Sequence, residues 1–351
     1  MITSRLYQES IRRTSELDLE WDKLKGKTLL ISGASGLIGS YLVDVLMYGN
    51  RNSDLNCTVY ALGRNVEKAR KRFASYWSDN NFEFISHDIN VPFDMDASLT
   101  LDYVLHMASN THPRAYATDP IGTITSNIIG TQNMLDMAVK HHASRFAFAS
   151  SVEIYGENRG DTDDFAEDYC GYIDCNTLRA GYPESKRCGE ALCQAYMKQK
   201  GMDVVIPRLA RSYGPTILKT DTKALSQFIT KAVNDEDIVL KSKGTQYYSY
   251  TYVADAVSGL LTVILSGQSG EAYNIADESS NIHLKDLAGL VADSVGRKVV
   301  FDLPDAVEST GFSKATTACL DGSKLKALGW KPMYTIRDGI RETIEILKNK
   351  K

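Results

Sequence analysis

Short apolar runs alternate with longer helical patterns from residue 27 to residue 207, and this alternation limits the folds open to the chain. Each apolar run has the length of a buried strand. Strands that alternate with helices favour a parallel sheet covered on both faces, so the sequence predicts an α/β fold with a doubly wound sheet. The predicted strands are 28–32, 58–62, 82–86, 101–107, 145–150 and 203–207. The predicted helices are 37–48, 66–76, 121–141 and 182–200.

The segments on either side of this pattern have a different character. Residues 1–25 are polar and mildly amphipathic, which predicts one or two helices packed on the edge of the main domain. After about Thr216 the alternation weakens. Helices are predicted there at 223–233 and 254–265, and a hairpin-like stretch at 238–252. We therefore expect a smaller α+β lobe over residues 216–351, which interleaves with a main domain at 26–215 and covers its sheet edge.

The composition of the 351-residue chain is that of a globular protein, with 43% hydrophobic and 24% charged residues. A formal net charge of −4 gives no reason to expect electrostatic binding to nucleic acid or to an anionic membrane. No stretch approaches the roughly 20 apolar residues that span a bilayer. Charged residues such as Arg5 and Glu9 interrupt the N-terminus where a signal peptide is apolar. The six cysteines lack metal-binding spacing, so we expect a soluble cytoplasmic protein with reduced thiols and no metal site.

A glycine-rich segment joins the first predicted strand to the first predicted helix. Residues 33–39 (GASGLIG) have the pattern GxxGxxG, in which glycines permit a tight turn, close approach to a phosphate and close helix–strand packing. The pattern also occurs in flexible turns, but its place before a helix N-terminus favours dinucleotide binding. The residues expected to contact the cofactor here are Gly33, Ser35, Gly36, Leu37, Ile38 and Gly39. The main domain is therefore predicted to be a Rossmann-type NAD(P)-binding domain.

The end of the second predicted strand bears on the choice between NAD and NADP. In dinucleotide-binding folds, an acidic residue about 20 residues after the glycines binds the ribose hydroxyls of NAD. Here that strand leads into Arg64, which could instead pair with the 2′-phosphate of NADP. Asp88, after the third strand, is a candidate contact of the adenine.

A tyrosine and a lysine at helical spacing form the candidate acid–base pair. Tyr182 and Lys186 make the motif YxxxK at the start of a predicted helix, and the i, i+4 spacing places both side chains on one face. The lysine charge is expected to lower the pKa of the phenol, so that the tyrosine can exchange a proton with a substrate hydroxyl or carbonyl. The motif occurs by chance in many proteins. Its position after the fifth strand, in a chain whose first strand leads into the glycine-rich segment, makes it informative.

These and further motifs resemble those of the extended short-chain dehydrogenase/reductases, a family of enzymes that modify nucleotide sugars. The resemblance covers residues 27–346. Its motifs are GASGLIG at 33–39, HMAS at 106–109, SSVEIYG at 150–156, YPESK at 182–186, YGP at 213–215, YVADAV at 252–257 and KLKALGWKP at 324–332.

The resemblance implies roles for several residues. Ser151 would hydrogen-bond the reacting sugar oxygen, Tyr182 would exchange its proton, and Lys186 would also hold the nicotinamide ribose; these three form the triad. A tightly bound NAD is the cofactor that the family implies. Further cofactor contacts expected from the family pattern are Ile89, Met107, Ala108, Ser109 and Asn127. The family packs the two long predicted helices across a two-fold axis, which implies a homodimer.

Within this family, the chain is most similar to UDP-glucuronate decarboxylases and related sugar-nucleotide dehydratases. Residues 179–187 (RAGYPESKR) resemble their RACYxxGKR, and Glu153 falls where they carry a carboxylate near C5 or C6 of the sugar. Oxidation at C4 acidifies the C5 proton, so a carboxylate can remove it, and elimination or epimerisation follows. The alternative is that Glu153 is a solvated residue at a strand end.

Three positions depart from the decarboxylase pattern. Val152 replaces a serine that can donate a hydrogen bond, Tyr248 replaces the arginine of GTQTRSF, and Arg211 replaces the asparagine of FNTYGP. Relative to the decarboxylases, the chain loses one arginine at Tyr248 and gains another at Arg211. This exchange indicates that an arginine contacts a negative group of the substrate from a different side of the site. The alternative is that Arg211 lies on the surface. The candidate substrate contacts are Asn110, His112, Arg179, Arg211 and Tyr248. His112 could equally cap a helix.

The sequence leaves four functions open. The leading one is a dehydratase or epimerase that oxidises a nucleotide-activated sugar with bound NAD, transforms it and returns the hydride. A UDP-glucuronate decarboxylase-like lyase is weakened by Val152 and Tyr248. An NADPH-dependent keto-sugar reductase is favoured by Arg64. A non-catalytic dinucleotide-binding protein is disfavoured, because the whole triad is present.

Overall fold

A computed structural model describes residues 4–111, 113–302 and 316–349, and its centre is a parallel sheet. The strands are β1 (Thr28–Ser32), β2 (Thr58–Gly63), β3 (Phe82–Ser86), β4 (Tyr103–His106), β5 (Arg145–Phe148), β6 (Ser150–Ser151), β7 (Val204–Leu209), β8 (Arg211–Tyr213), β9 (Ile238–Leu240), β10 (Tyr247–Tyr252), β11 (Ala272–Ile275), β12 (Asn281–His283), β13 (Val299–Phe301) and β14 (Thr317–Ala318). The main sheet has the order β3-β2-β1-β4-β5-β7-β11, and β6 pairs with β7. Every pairing in it is parallel.

Helices cover both faces of this sheet, and further helices belong to the smaller lobe. They are α1 (Arg5–Ser15), α2 (Leu37–Asn52), α3 (Val66–Arg72), α4 (Pro113–Thr118), α5 (Pro120–Lys140), α6 (Gly181–Lys200), α7 (Ala224–Val233), α8 (Val253–Ser266), α9 (Leu284–Asp293), α10 (Ser323–Ala327) and α11 (Ile336–Lys348). In β1, Leu29 and Ile31 join the apolar cluster that includes α2 and α8, whereas Leu30 joins the cluster under α5 and α6. Because side chains alternate across a strand, β1 is buried on both faces. The predicted doubly wound α/β fold is confirmed.

The smaller lobe holds two further sheets. In one, β10 pairs with β8, β12 and β14; in the other, β9 pairs with β13. The hairpin predicted at 238–252 is therefore wrong: β9 and β10 are both strands, but neither pairs with the other. Apolar periodicity identifies a strand and says nothing of its partner. The chain then returns to the main sheet at β11, so residues beyond 216 contribute to both parts of the molecule.

The N-terminal segment is fastened to the main domain by a buried ionic cluster. Helix α1 packs against α2 and α8, as predicted, and Tyr7 and Ile11 are buried there. The Tyr7 hydroxyl donates to the carboxylate of Asp44, which also pairs with Arg72. Arg72 completes the cluster through Nη2, which donates to the backbone carbonyl of Ser40 at 2.8 Å. Within the described residues, no helix has the length and apolar character needed to cross a membrane.

The turn between β1 and α2 brings three pieces of backbone into contact. Gly33 has φ +71°, and a Cβ there would lie 2.7 Å from the backbone of Met107 and Ala108. A Cβ on Gly39 would lie 2.5 Å from the carbonyl oxygen of Gly33. Both positions therefore require glycine, as the sequence pattern predicted, because any side chain would push the turn away from α2 or β4.

The buried cluster under α1 gives a first prediction. Asp44→Ala leaves the Arg72 guanidinium buried without its carboxylate, so the variant should lose about 3–5 kcal/mol of unfolding free energy. Urea denaturation measures the loss. Arg341→Ala, which removes an exposed arginine from the pair with Asp338, is the control and should change little. An unchanged Asp44→Ala variant would show that the cluster does not fasten α1.

The contacts of the glycine turn give a second prediction. Gly39→Ala should destabilise the protein by about 1–3 kcal/mol, because the new methyl group meets backbone that cannot yield easily. Gly289→Ala in α9 is the matched control, since no heavy atom lies within 4 Å of a Cβ built there. That control should be stabilised by about 0.5–1 kcal/mol, the usual gain of replacing a helical glycine. Equal effects of the two substitutions in thermal denaturation would contradict this account.

Candidate active site

A cavity of about 820 Å³ lies at the carboxyl ends of β1, β2, β4 and β6 and reaches into the smaller lobe. This is the edge at which open parallel sheets bind ligands, next to the point where the strand order reverses between β1 and β4. The predicted cofactor residues on its wall are Gly33, Ser35, Gly36, Leu37, Ile38, Gly39, Arg64, Asp88, Ile89, Met107, Ala108 and Ser109. The predicted catalytic and substrate residues on its wall are Ser151, Glu153, Tyr182, Lys186, Asn110, Arg179, Arg211 and Tyr248.

Two other predicted residues are not placed on this wall. Asn127 is fully buried between α5 and α6, where its Nδ2 donates to the hydroxyl of Ser185 at 3.0 Å. Asn127 thus links the two long helices, and its contact with the cofactor stays a prediction. His112 lies outside the described residues.

The N-terminus of α2 forms one end of the cavity. Gly36 is its N-cap and makes no side-chain cap bond, so the backbone N–H groups of the first turn face the cavity without a side chain in the way. These N–H groups and the positive end of the helix dipole suit a pyrophosphate. Arg64 is exposed at the same end, with Lys68 beside it on the cavity wall. The residues present thus fit a dinucleotide.

The triad lies where β6 ends and α6 begins. The hydroxyl of Ser151 accepts the N–H of Glu153 at 3.2 Å, which starts a short 3-10 turn. Tyr182 and Lys186 occupy the first two turns of α6 and are 5% and 2% exposed. The Lys186 Nζ donates to the carbonyl of Ala149 at 2.8 Å. The structure thus brings these side chains into one cavity with the glycine-rich turn.

Burial dominates the acid–base properties of the triad. Loss of solvent raises the pKa of Tyr182 to about 12, against a smaller opposing effect of its hydrogen bond with Ser151. Burial likewise lowers the pKa of Lys186 to about 7. The prediction that the lysine charge lowers the pKa of the phenol is wrong. The reason is that desolvation of Tyr182 is the largest influence and Lys186 donates to a backbone carbonyl instead.

Glu153 is held beside the triad by an ion pair. Its carboxylate accepts from Nη2 of Arg179 at 2.7 Å. The Arg179 guanidinium also lies 5.0 Å from the ring of Tyr116, and that ring stacks on Tyr182 with centroids 5.0 Å apart. Glu153 is therefore not a solvated strand-end residue. Tyr116 was missed from the sequence, because no spacing connects it with a tyrosine so far along the chain.

A second buried ion pair lies behind the triad. Glu190 follows Lys186 by one helical turn and accepts from the hydroxyl of Ser150 at 2.5 Å. Arg208 on β7 donates to both of its carboxylate oxygens, at 3.0 and 2.7 Å. The pair fixes the strand end that carries Ser151 against α6. The i, i+4, i+8 spacing of Tyr182, Lys186 and Glu190 is a sequence signal that could have indicated this residue.

Arg211 and Tyr248 contact each other on the lobe side of the cavity. The guanidinium carbon of Arg211 lies 3.6 Å from the centroid of the Tyr248 ring, close enough for a cation–π interaction. Arg211 is half-buried, so the alternative of a surface arginine is wrong. Two arginines of the cavity wall thus have different partners. Arg179 pairs with a carboxylate, and Arg211 stacks on a ring.

All six cysteines are free thiols. In the described ranges, no cluster of three or more histidine, cysteine, aspartate or glutamate side chains is placed to hold a metal ion.

Comparison with known proteins decides the family. Residues 29–276 match the family described as NAD dependent epimerase/dehydratase. The chain belongs to that family. The resemblance read from the motifs is confirmed, and with it the prediction of an enzyme.

One relative found by sequence and two found by structure are similar over most of the chain. UDP-glucuronic acid decarboxylase 1 of Danio rerio is 32% identical over 322 residues, which are 91% of this chain and 72% of that protein. A dTDP-glucose 4,6-dehydratase from Streptomyces venezuelae superposes with a TM-score of 0.76 at 24% identity and covers 92% of this chain and 97% of its own. A UDP-glucuronic acid 4-epimerase from Bacillus cereus has a TM-score of 0.76 at 23% identity, covering 92% and 100%. These two structures share the fold of this chain.

The buried lysine gives a third prediction, which concerns stability against pH. An unfolded lysine binds a proton below about pH 10.4. Folded Lys186 binds one only below about pH 7, so unfolding takes up a proton between the two values. As the pH increases from about 7 to about 10.4, the free energy of unfolding of the wild type should therefore rise relative to that of Lys186→Met. Below about pH 7 the unfolding free energies of the two proteins should change in parallel. Urea denaturation at several pH values measures the difference; parallel curves throughout would contradict a depressed lysine pKa.

Proposed function

We propose that this enzyme holds NAD and uses it to oxidise a nucleotide-activated sugar at C4, transform the keto sugar and reduce it again, as a dehydratase or an epimerase. One observation carries the proposal. The cavity that begins at the glycine-rich turn ends at two acid–base devices on one wall, the triad and Glu153. A plain dehydrogenase needs only the first of them.

The cofactor and the substrate class rest on the site together with the relatives. The turn at Gly33–Gly39 fits a dinucleotide, and the similar dehydratase and epimerase were solved with NAD bound. The epimerase structure also contains UDP-glucuronic acid. These facts favour NAD over NADP, although Arg64 and Lys68 at the cavity end would suit a 2′-phosphate. When bound, NAD takes the hydride from C4 and later returns it.

The triad manages the proton of the C4 hydroxyl. A neutral phenol at Tyr182 cannot take up that proton, so the tyrosine must first be ionised, and its burial opposes this. A protonated Lys186 within the same desolvated pocket would favour the phenolate. Ser151 can donate to the same sugar oxygen and keep it in line with the phenol.

Glu153 supports the second step. A C4 ketone makes the proton at C5 acidic, and a carboxylate beside the triad can remove it. Arg179 holds the carboxylate in place at 2.7 Å. Return of the proton to the other face gives an epimer, whereas loss of the C6 hydroxyl gives a dehydrated sugar.

Decarboxylation is the second candidate, favoured by the 32% identity with a UDP-glucuronic acid decarboxylase over 91% of this chain. Two positions count against it. The side chain at Val152 is buried and cannot donate a hydrogen bond, and position 248 carries a tyrosine ring under Arg211. Decarboxylation of a glucuronic acid substrate would show itself by release of carbon dioxide.

We also propose that the protein is a homodimer formed through α5 and α6. These helices pack side by side on one face of the main sheet. Their outer surface carries large apolar side chains that remain exposed in the single chain, namely Ile121 (76%), Ile124 (37%) and Ile129 (42%). Large apolar side chains that remain exposed on one helix are typical of a subunit interface.

The two acid–base devices give a fourth prediction. Glu153→Gln should still reduce NAD on binding of the true substrate, but turnover should fall by about 10²–10⁴-fold, because the second proton transfer lacks its base. Tyr182→Phe should fail at the first hydride transfer. Nicotinamide absorbance in a stopped-flow experiment separates the two variants. Glu157→Gln, at an exposed glutamate nearby, is the control, and full turnover by Glu153→Gln would exclude the proposed second step.

The proposed interface gives a fifth prediction. Ile121→Asp combined with Ile129→Asp should convert the dimer to a monomer, because two charges would be buried at the interface. Sedimentation velocity measures the mass. Val91→Asp, at an equally exposed apolar residue elsewhere, should leave the dimer intact. A wild-type protein that sediments as a monomer would contradict the proposal.

A further inference from the structure

Arg179 and Arg211 both lie on the cavity wall with a buried Nη1 that lacks a hydrogen-bond partner in the described part of the chain, but Arg211 also lacks a counter-ion there. It makes no ion pair with any carboxylate among the residues the structure describes, and its Nη1 is buried without a hydrogen-bond partner. Arg179, by contrast, is neutralised by Glu153. A buried guanidinium N–H without an acceptor is unfavourable, and proteins seldom leave one unless a ligand supplies the acceptor.

The surroundings of Arg211 fix the guanidinium in place without neutralising it. Its carbon lies 3.6 Å from the centroid of Tyr248, a ring that is only 6% exposed. Arg211 lies on β8 and is paired in register with Tyr250 on the neighbouring strand β10. A stacked guanidinium keeps its charge and loses little further freedom when it binds an anion.

The strand register places Arg211 close to the triad. Ser151 is paired with Leu209, and Arg211 lies two residues further along the same chain direction. A rise of about 3.3 Å per residue and a strand spacing of about 4.8 Å put the Cα atoms of Ser151 and Arg211 roughly 8 Å apart. This separation is close to the width of one sugar ring plus its substituent. An anionic group bonded to a sugar that reaches Ser151 would therefore lie within range of the Arg211 side chain.

We propose that Arg211, stacked on Tyr248, binds an oxyanion bonded directly to the substrate sugar, either the sugar-linked phosphate of the diphosphate or a carboxylate at C6. Both groups present paired oxygens that match the two N–H groups of a guanidinium edge. The inference rests on the proposed function, because it assumes that a nucleotide sugar enters this cavity.

Calorimetric titration of the NAD-loaded protein tests the assignment without requiring turnover. The probes are UDP, UDP-glucose and UDP-glucuronate, and the three dTDP counterparts. Arg211→Asn should weaken the affinity of the tightest probe by about 10- to 100-fold, the effect of losing a charge-assisted hydrogen bond. Tyr248→Phe keeps the ring and should bind nearly as the wild type does. Arg341→Asn, on the exposed face of α11, is the matched control and should not change.

The probe pattern identifies the anion. A loss shared by the diphosphate, the neutral sugar and the glucuronate assigns Arg211 to the phosphate, whereas a loss confined to the glucuronate assigns it to the carboxylate. Either pattern supports the proposal. An Arg211→Asn protein that binds every probe as the wild type does would overturn it. A wild-type protein that binds no nucleotide sugar would instead refute the proposed function, and this inference with it.

A double variant separates loss of charge from loss of fold. Arg211→Asn combined with Tyr248→Arg moves the guanidinium from β8 to the adjacent strand while keeping it at the same part of the cavity wall. The double variant should recover most of the affinity that Arg211→Asn loses. A double variant that unfolds at the wild-type temperature and still binds no better than Arg211→Asn would show that a cation there does not bind the substrate, and would overturn the proposal.

Discussion

Close contact between the β1–α2 turn and the loop after β4 is the constraint on which the rest of the site depends. Gly33 lies against the backbone of Met107 and Ala108, so the two strand ends on either side of the switch point are held together. The Ser32 hydroxyl fixes them further, because it accepts the N–H groups of Met107 and Ala108 at 3.1 and 3.2 Å. Its own proton is then directed to Nδ1 of His106 at 2.7 Å.

This arrangement requires His106 to stay uncharged. Burial lowers the pKa of His106 to about 3, and the nearby Lys186 adds to the effect. A neutral imidazole accepts from Ser32 through Nδ1, which a charged ring could not do. The same desolvated interior lowers the pKa of Lys186 and raises that of Tyr182, so one property of the fold sets the chemistry of the whole site.

The sequence predicted those parts of the molecule that local pattern determines. Alternating strands and helices indicated the sheet, and glycine spacing together with YxxxK identified both ends of the cavity. The strand at 238–240 was recognised, but its partner at 299–301 was not, because pairing depends on distant chain segments. The Tyr116–Tyr182 stack and the Arg211–Tyr248 contact were missed for the same reason. The pKa of Tyr182 could not be predicted, since it depends on burial, which no motif records.

Pairs of buried charges recur in the main domain, and each joins elements that are distant in the chain. Asp44 and Arg72 fasten the N-terminal helix, while Glu190 and Arg208 fix the strand end before Ser151. Arg211 is the exception, with a ring instead of a carboxylate beside it. A site that pairs Arg179 with a carboxylate and leaves Arg211 for a ligand is suited to a substrate that carries its own negative charge.

Turnover in deuterated water tests most directly whether the enzyme runs a closed hydride cycle with a proton transfer at C5. A panel of UDP-, dTDP-, CDP- and GDP-sugars is incubated with the purified protein, and products are analysed by mass spectrometry and NMR. The account predicts a product that carries deuterium at C5, with no net consumption of added nicotinamide cofactor. Stoichiometric consumption of NADPH and a product without deuterium at C5 would contradict it and identify a simple keto-sugar reductase.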